Sequence, residues 1–201
     1  MRFILLILTV LLAGCVSLKT PKQSPEHFRT LSAPVRQKSL GRLQRWSIQG
    51  AFSIVEKGHK PVLANYSWLQ RGKTYYKIQI NSALDLFAIT LTGGPHIVTL
   101  WRSARDHVSA KTPEALLYAQ MGWRIPIRNL VYWVRGMTAP GTKQVKHDQY
   151  GHVIVLHQKG WVIRYFSYHG VKGFDLPSKI LLNRPGLSIT LVIKKWRLIG
   201  V

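Results

Sequence analysis

The stretch Trp46–Glu56, WSIQGAFSIVE, alternates apolar and polar side chains and decides the fold class. The apolar positions are Trp46, Ile48, Phe52 and Ile54, and the polar positions between them are Ser47, Gln49 and Ser53. Successive side chains of a β-strand point to opposite faces of its sheet, so the pattern predicts a strand with one dry and one wet face. Such strands are typical of antiparallel sheets.

The same alternation recurs along much of the chain. The segments that carry it are VLANYSWLQ (62–70), YKIQI (76–80), HVIVLHQ (152–158), WVIRYFSY (161–168), KILLN (179–183) and LSITLVIKKW (187–196). Turn signals that contain glycine separate the strands, at 57–58, 71–73, 93–95, 158–160 and 183–186. We predict a mainly β fold of the α+β class with about ten antiparallel strands.

Two segments between the strands carry the signals of short helices. In TPEALLYAQMG (112–122), Thr112 is the predicted N-cap, Pro113 occupies the first helical position and Gly122 follows the last turn. The second helix, in IPIRNLVYWVRG (125–136), has an apolar stripe formed by Leu130, Trp133 and Val134. Both helices are expected to lay their apolar stripes on the dry face of the sheet.

Large aromatic side chains are abundant, with seven Trp, eight Tyr and six Phe. On the simplest interpretation most of them belong to an ordinary core. A one-sided sheet that is covered by only a few short helices can also leave an apolar hollow between the two layers. Such a hollow would suit a lipid.

The first residues have the composition of an export signal. Arg2 precedes the apolar run 3–12, which is too short to span a hydrocarbon core that needs about 20 helical residues. Leu12–Cys15, LAGC, resembles the lipobox of bacterial lipoproteins, in which the cysteine becomes the acylated first residue. The alternative is an ordinary secreted protein with a cysteine near its cleavage site. We expect a signal peptide at 1–14, a lipidated N-terminus with a flexible linker at 15–31 and one domain at 32–201.

The charge of the chain is strongly positive, since 29 Lys and Arg against seven Asp and Glu give a formal net charge of +22. This balance would suit nucleic acid as a partner. However, the basic residues are spread along the chain, and an exported, acylated protein has no obvious nucleic-acid partner. Anionic lipid head groups are the better-placed counter-charge, and a solvated basic surface without a specific ligand is the alternative.

The sequence does not contain an evident catalytic or metal-binding constellation. The seven acidic residues fall singly, whereas acid–base catalysis needs positioned carboxylates or histidines. His147, His152 and His157 are separated by odd steps, which place successive residues of a strand on opposite faces. We therefore predict that the protein is not an enzyme and needs no metal or other cofactor, although residues on different strands could still converge.

The segment GWRIPIRNLVYWVRGMTAP (122–140) resembles the segment G-x-P-(V/I/L)-x-x-L-x-x-W-(I/V)-x-G-x-x-x-P of the LolB family of lipoproteins. Other pieces agree with the family in order, namely RWSIQGAFSI, YSWLQRG, YYKIQI, PEALL, the turn at 148–151, LHQKGWVIRY, LPSKILL and LVIKKW. The ordered set is specific, although no single piece is. The resemblance implies an incomplete antiparallel β-barrel whose open side is plugged by short helices over a hydrophobic cavity for acyl chains.

In function, the resemblance implies a receptor that accepts triacylated lipoproteins from a periplasmic carrier of LolA type. It would insert them into the outer membrane of a Gram-negative bacterium, where it is itself anchored facing the periplasm. The expected partners are the carrier, the acylated cargo and outer-membrane lipids, without nucleic acid or nucleotide, and we expect a monomer. Val16 is not the aspartate that retains lipoproteins in the inner membrane of enteric bacteria. An anchored lipid-binding sensor and a structural envelope lipoprotein are the alternatives.

The resemblance also implies roles for single residues. Cys15 would tether the receptor to its destination membrane. Alternation and family likeness together place five side chains in the cavity, with ordinary packing as the alternative: Phe52, Trp68, Leu116, Leu130 and Trp133. In the family, the connection after the strand at 76–80 protrudes with an exposed leucine at its tip, which corresponds to Leu84. The family has Pro-Leu-Gly there and this chain has Ala83-Leu84-Asp85. Leu84 would guide acyl chains into the bilayer, unless it folds back onto the domain.

Overall fold

The computed structural model describes residues 28–82 and 87–200, which form three helices and eleven strands. The helices are α1 (Ala33–Gly41), α2 (Pro113–Met121) and α3 (Ile127–Trp133). The strands are β1 (Arg45–Glu56), β2 (Val62–Arg71), β3 (Tyr75–Ser82), β4 (Ala88–Gly93), β5 (Val98–Trp101), β6 (His107–Ala110), β7 (Lys143–His147), β8 (Val153–Gln158), β9 (Trp161–Val171), β10 (Phe174–Arg184) and β11 (Leu187–Leu198).

All eleven strands belong to one antiparallel sheet, in the order β6-β5-β4-β3-β2-β1-β11-β10-β9-β8-β7. The first strand lies at the centre because β1 pairs with β2 on one side and with the last strand, β11, on the other. The outermost strands, β6 and β7, do not pair with each other among the described residues, so the sheet is not closed. An open antiparallel sheet with a few short helices confirms the predicted fold class.

The inner face of β1 carries the dry side of the predicted alternation. Trp46, Ile48 and Ile54 are buried there. The indole of Trp46 lies at the middle of the sheet, with its ring centroid 5.3 Å from that of Trp68 on β2 and 5.5 Å from that of Trp196 on β11. Aromatic pairs at this spacing add to the stability that their buried area provides. The alternation in WSIQGAFSIVE therefore builds the central part of the core.

A β-bulge shapes the contact between the first and last strands. Gln49 pairs with Lys195, but Gly50 pairs with Ile193, so β11 contains one extra residue at this point. A Cβ atom at Gly50 would lie 1.9 Å from the carbonyl oxygen of Val192, so only glycine fits here. Bulges bend a strand and increase its twist. This one lies at the centre of the sheet, between its first and last strands.

The helices cover this inner face. The hydroxyl of Thr112 accepts a hydrogen bond of 3.2 Å from the backbone N–H of Ala115 at the start of α2. Gly122 ends that helix in the left-handed conformation, with a φ of 73°. Both features were predicted from the sequence, and α3 follows after a short link at 122–126. α2 packs against β5, β6 and α3.

The sequence did not reveal the short strands β5, β6 and β7. Each has only four or five residues. β6 and β7 expose most of their side chains at the two margins of the sheet, so neither shows a dry face in its sequence. Among the described residues, no helix has the length and apolar character that are needed to cross a membrane.

Candidate functional site

An apolar hollow lies between the inner face of the sheet and the covering helices. Its cavity volume is about 80 Å³, and the hollow opens to solvent. The sheet side is formed by residues of β1–β4 and β11, and the covering side by α2, α3 and the link between them. The lining residues are Phe52, Tyr66, Trp68, Ile78, Ile80, Leu91, Leu117, Trp123, Ile125, Ile127, Leu130, Ile189 and Leu191.

The polar atoms of two lining residues are bound within the protein. The hydroxyl of Tyr66 donates to the carbonyl oxygen of Val192 at 3.3 Å. Trp68 Nε1 donates to Oε1 of Gln70 at 2.9 Å, and Gln70 is completely buried. Burial raises the pKa of Tyr66 far above its ordinary value, so its hydroxyl stays neutral. The hollow therefore offers carbon surface to a ligand, which suits an uncharged hydrocarbon chain.

Aromatic rings connect the hollow to the connection between β3 and β4. The ring centroid of Trp123, in the link between α2 and α3, lies 6.2 Å from that of Phe52 and 6.3 Å from that of Phe87. Phe87 is the first described residue after this connection. Its N–H donates to Oγ of Ser82 at 3.1 Å, and the N–H of Ser82 donates to the carbonyl oxygen of Phe87 at 2.9 Å. The base of the connection thus lies beside the hollow.

The structure brings together three of the five predicted cavity residues. Phe52, Trp68 and Leu130 line the hollow. Leu116 and Trp133 are buried elsewhere in the core, with exposures of 2% and 0%. The stripe on α3 divides, so that Leu130 faces the hollow and Trp133 faces β8 and β9. Cys15 and Leu84 lie outside the described residues.

Trp133 is held by its own hydrogen bonds. Its Nε1 donates to Oε1 of Gln158 at 3.0 Å, and its carbonyl oxygen accepts from the hydroxyl of Tyr165 at 2.9 Å. Gln158 also bonds Ala139, accepting from its N–H at 2.9 Å and donating to its carbonyl oxygen at 2.6 Å. Burial raises the pKa of Tyr165 well above its ordinary range. These bonds fix the C-terminal end of α3 against β8 and β9.

Arg135 ties the end of α3 to Leu43, which lies just after α1. Its guanidinium donates to the carbonyl oxygens of Val131 at 2.9 Å and Leu43 at 3.0 Å. Burial lowers the pKa of Arg135 to about 10, which leaves it charged at neutral pH. The C-terminal end of α3 is therefore anchored. Leu130, which borders the hollow, lies one turn before this end.

A buried polar cluster, which the sequence did not predict, lies apart from the hollow. Nδ1 of His152 lies 2.9 Å from a carboxylate oxygen of Asp148, and its Nε2 lies 3.0 Å from one of Asp175. Arg36 of α1 bonds the same Asp175 oxygen at 2.6 Å and the carbonyl oxygen of Tyr150 at 2.7 Å. These groups satisfy one another and fasten α1 to the sheet. Among the described residues, no group of His, Cys, Asp and Glu could hold a metal ion.

Sequence reasoning missed several lining residues for different reasons. Alternation had already assigned Tyr66, Ile78 and Ile80 to the dry face, so a prediction that included every dry-face residue of these strands would have contained them. Trp123 and Ile125 lie in an irregular link, where no periodic signal indicates which way a side chain points. Their place depends on how α2 and α3 meet.

An open antiparallel sheet whose concave face is covered by short helices over an apolar hollow defines a class of half-barrel binding proteins. Two solved structures share this fold. A LolA superfamily protein from Nitrosomonas europaea matches with a TM-score of 0.54 and 8% identity, covering 86% of this chain and 96% of that chain. A DUF1329 family protein from Desulfovibrio piger matches with a TM-score of 0.55 and 8% identity, covering 84% and 92%. At such low identity these matches define the fold alone.

The chain belongs to the LolB family. The family model described as "Outer membrane lipoprotein LolB" matches residues 44–196. A relative named "Outer-membrane lipoprotein LolB" from Coxiella burnetii is 42% identical over 94% of this chain and 89% of its own length. Relatives of the same name from Nitrosococcus oceani and Stutzerimonas stutzeri are 35% and 36% identical, covering 97% and 94% of this chain and 96% and 92% of their own lengths.

Proposed function

We propose that this protein is an outer-membrane receptor that accepts triacylated lipoproteins from a periplasmic carrier of LolA type and inserts them into the outer membrane. Membership of the LolB family supports this function. The observation that carries it is the apolar hollow, which is lined by Phe52 and Trp68 of the sheet and by Leu130 of the cover. On this proposal the protein is a monomer that uses no cofactor and catalyses no reaction.

The hollow has a physical purpose because acyl chains cannot cross water unaided. A chain of roughly fifteen methylenes, at about 0.8 kcal/mol each, costs on the order of 12 kcal/mol to expose. Transfer therefore proceeds from the carrier's apolar site to the hollow without full exposure. Without a fuel, the direction of transfer follows from affinity, so the hollow must hold the chains more tightly than the carrier does and the bilayer more tightly still.

We assign Cys15 as the acylated residue that anchors the receptor in the outer membrane. Two or more acyl chains give stable anchoring, whereas one chain binds only marginally. The anchor keeps the receptor where the cargo is to be released. The residue after Cys15 is Val16, so this position lacks the aspartate that signals retention in the inner membrane.

We assign Leu84 as the residue that enters the membrane during insertion. It belongs to the connection between Ser82 and Phe87, whose base lies beside the hollow through the contact of Phe87 with Trp123. Burial of one leucine side chain in the interfacial region contributes about 2 kcal/mol. A Leu84→Glu variant is expected to accept cargo from the carrier but to retain it, and delivery to membranes at the wild-type rate would refute the assignment.

The function is tested by transfer of a palmitate-labelled lipoprotein from purified LolA-type carrier to the receptor. Phe52→Asp places an unpaired carboxylate in the hollow and should weaken acceptance by more than about tenfold. Leu63→Asp is the matched control, since Leu63 lies on the neighbouring strand with its side chain 58% exposed on the opposite face. Equal acceptance by both variants, with circular dichroism showing both to be folded, would contradict the proposal. Acyl binding without transfer from the carrier would instead indicate a lipid-binding sensor.

A further inference from the structure

A second concavity, which we call the basic groove, lies where the β1–β2 turn approaches the end of α2. Its floor is apolar and includes Ile54 and Val62, which are paired across β1 and β2, and Trp123, which also lines the hollow. Lys60 and Arg124 lie at its rim. The volume of the groove is about 510 Å³. The indole of Trp123 thus borders both the groove and the hollow.

The two cations of the rim are available to a ligand. Arg124 is positioned by Tyr118, because its guanidinium lies 4.1 Å from the ring centroid and its Nη2 donates to the tyrosine hydroxyl at 2.8 Å. Neither Arg124 nor Lys60 forms an ion pair with a carboxylate in the described part of the chain. Glu56 also lines the groove, with its carboxylate 3.9 Å from Nδ1 of His59, so two cations face one acid there. The rim therefore presents an oriented guanidinium and a free ammonium group.

The groove lies next to the connection that carries Leu84. Ala64, two residues beyond Val62 on β2, pairs with Ser82 at the start of this connection. Tyr118 of α2, which is half exposed, lines the groove. Tyrosine, lysine and arginine beside apolar side chains are the residues that proteins place at the interface of a bilayer.

We propose that the basic groove binds the phosphate of an anionic membrane phospholipid, with the adjoining glycerol and acyl carbons on the apolar floor. Arginine and lysine both bind phosphate, and a guanidinium that is already oriented forms two parallel hydrogen bonds with it. Both parts of such a lipid find a complementary surface, since the head group is acidic and the chains are apolar. An acidic protein segment would leave the apolar floor without a partner. This inference deepens the proposed function by naming the lipid that the receptor contacts during insertion.

The chain offers a matched control at the opposite end of β3. Lys73, in the β2–β3 turn, and Lys111, before α2, line another concavity with Lys159. They lie at the end of the strand remote from Ser82, because Tyr76 pairs with Gly93 there and Asn81 with Ala88 at the other end. A Lys73→Glu/Lys111→Glu variant thus changes the net charge as much as Lys60→Glu/Arg124→Glu does, and leaves the groove intact.

The test uses the chain from Val16 onward, without the anchor, and vesicles of phosphatidylglycerol mixed with phosphatidylethanolamine. Flotation should show that Lys60→Glu/Arg124→Glu binds at least about tenfold more weakly than the wild type, whereas the control pair loses less than about twofold. Vesicles of phosphatidylcholine should bind all three forms equally weakly. Equal losses in both double variants would mean that only net charge matters and would overturn the proposal.

Two further measurements distinguish lipid binding in the groove from the binding of other ligands, and the role of the groove from that of the hollow. Side-chain NMR signals of Arg124 should respond to phosphatidylglycerol vesicles, and an equal response to inorganic phosphate alone would show a free-anion site and refute the lipid assignment. Acceptance of labelled lipoprotein from the carrier in solution should stay at the wild-type level in the groove variant. Loss of acceptance with unchanged vesicle binding would identify a protein-docking surface instead. Failure of the Phe52→Asp test would refute the acyl site without bearing on vesicle binding.

Discussion

The two halves of the inner face consist of similar strands but are covered differently. Over β8 and β9, the indole of Trp133 fills the space and bonds Gln158, and its ring centroid lies 6.4 Å from that of Trp161. Over β1–β4, the covering helices contribute the smaller side chains of Leu117, Ile127 and Leu130, and the apolar hollow remains. The cover therefore creates the site, since both halves of the sheet offer a dry face.

The filled half should be the more sensitive to truncation. Trp133→Ala removes a completely buried indole and leaves Gln158 without one of its hydrogen-bond partners. We expect the free energy of unfolding to fall by about 3–5 kcal/mol, because the surroundings cannot collapse fully into the cavity. Urea unfolding followed by circular dichroism measures this loss. A loss below about 1 kcal/mol would mean that this half is not tightly packed.

The same truncation in the open half should cost less stability and more binding. Leu130 is only partly buried and already borders empty space. Leu130→Ala is therefore expected to lower the free energy of unfolding by about 1–2 kcal/mol, below the usual range for a fully buried leucine. Acceptance of acylated cargo should nevertheless weaken several-fold, measured in the transfer assay against Trp133→Phe as a conservative control in the filled half. A stability loss as large as that of Trp133→Ala would erase the contrast between the halves.

Two tyrosine hydroxyls allow a finer comparison. Tyr165→Phe breaks the 2.9 Å bond to Trp133 in the filled half and should cost about 1 kcal/mol, whereas Tyr66→Phe breaks a 3.3 Å bond beside the hollow and should cost less. Urea unfolding at neutral pH measures both changes. The opposite order would mean that the polar atoms beside the hollow matter more to stability than those of the filled half.

The same pair predicts a pH dependence. Burial raises the pKa of both tyrosines, so each stays protonated in the folded state while the unfolded chain loses the proton near pH 10. The stabilisation is complete below about pH 10 and is lost as the pH rises above it, by up to about 1.4 kcal/mol per pH unit for each group. Each Phe variant should reduce this slope between about pH 9 and pH 11. Identical slopes in the wild type and both variants would contradict the assigned burial.

The sheet could be predicted because its long strands carry alternation, which depends only on neighbouring positions. Thr112 and Gly122 fixed the ends of α2 for the same reason, since caps are local features. The strands β5 to β7 escaped because each has only four or five residues, which is too few for a readable pattern, and because β6 and β7 are mostly exposed. Local signals thus predicted the fold class and its long elements, and short marginal strands required the tertiary structure.

The site was only partly predictable because it depends on contacts between distant segments. The helical pattern placed Leu130 and Trp133 on one stripe, but it could not indicate that β8 and β9 would accept the indole and leave the leucine at the hollow. Trp123 belongs to an irregular link and lines both the hollow and the basic groove. His152 gained its two carboxylates from Asp148 and Asp175, which are single acids in the sequence. Each of these outcomes is decided by tertiary packing.

The proposed function requires that acyl chains enter the hollow on the inner face of the sheet. A photo-crosslinking phenylalanine analogue at Phe52, on this inner face, can be compared with the same analogue at Phe166, whose side chain is 58% exposed on β9. During transfer of lipoprotein that is radiolabelled in its acyl chains, we expect crosslinks to the chains from position 52 and background levels from position 166. Equal crosslinking at both positions, or crosslinking at 166 alone, would contradict the claim.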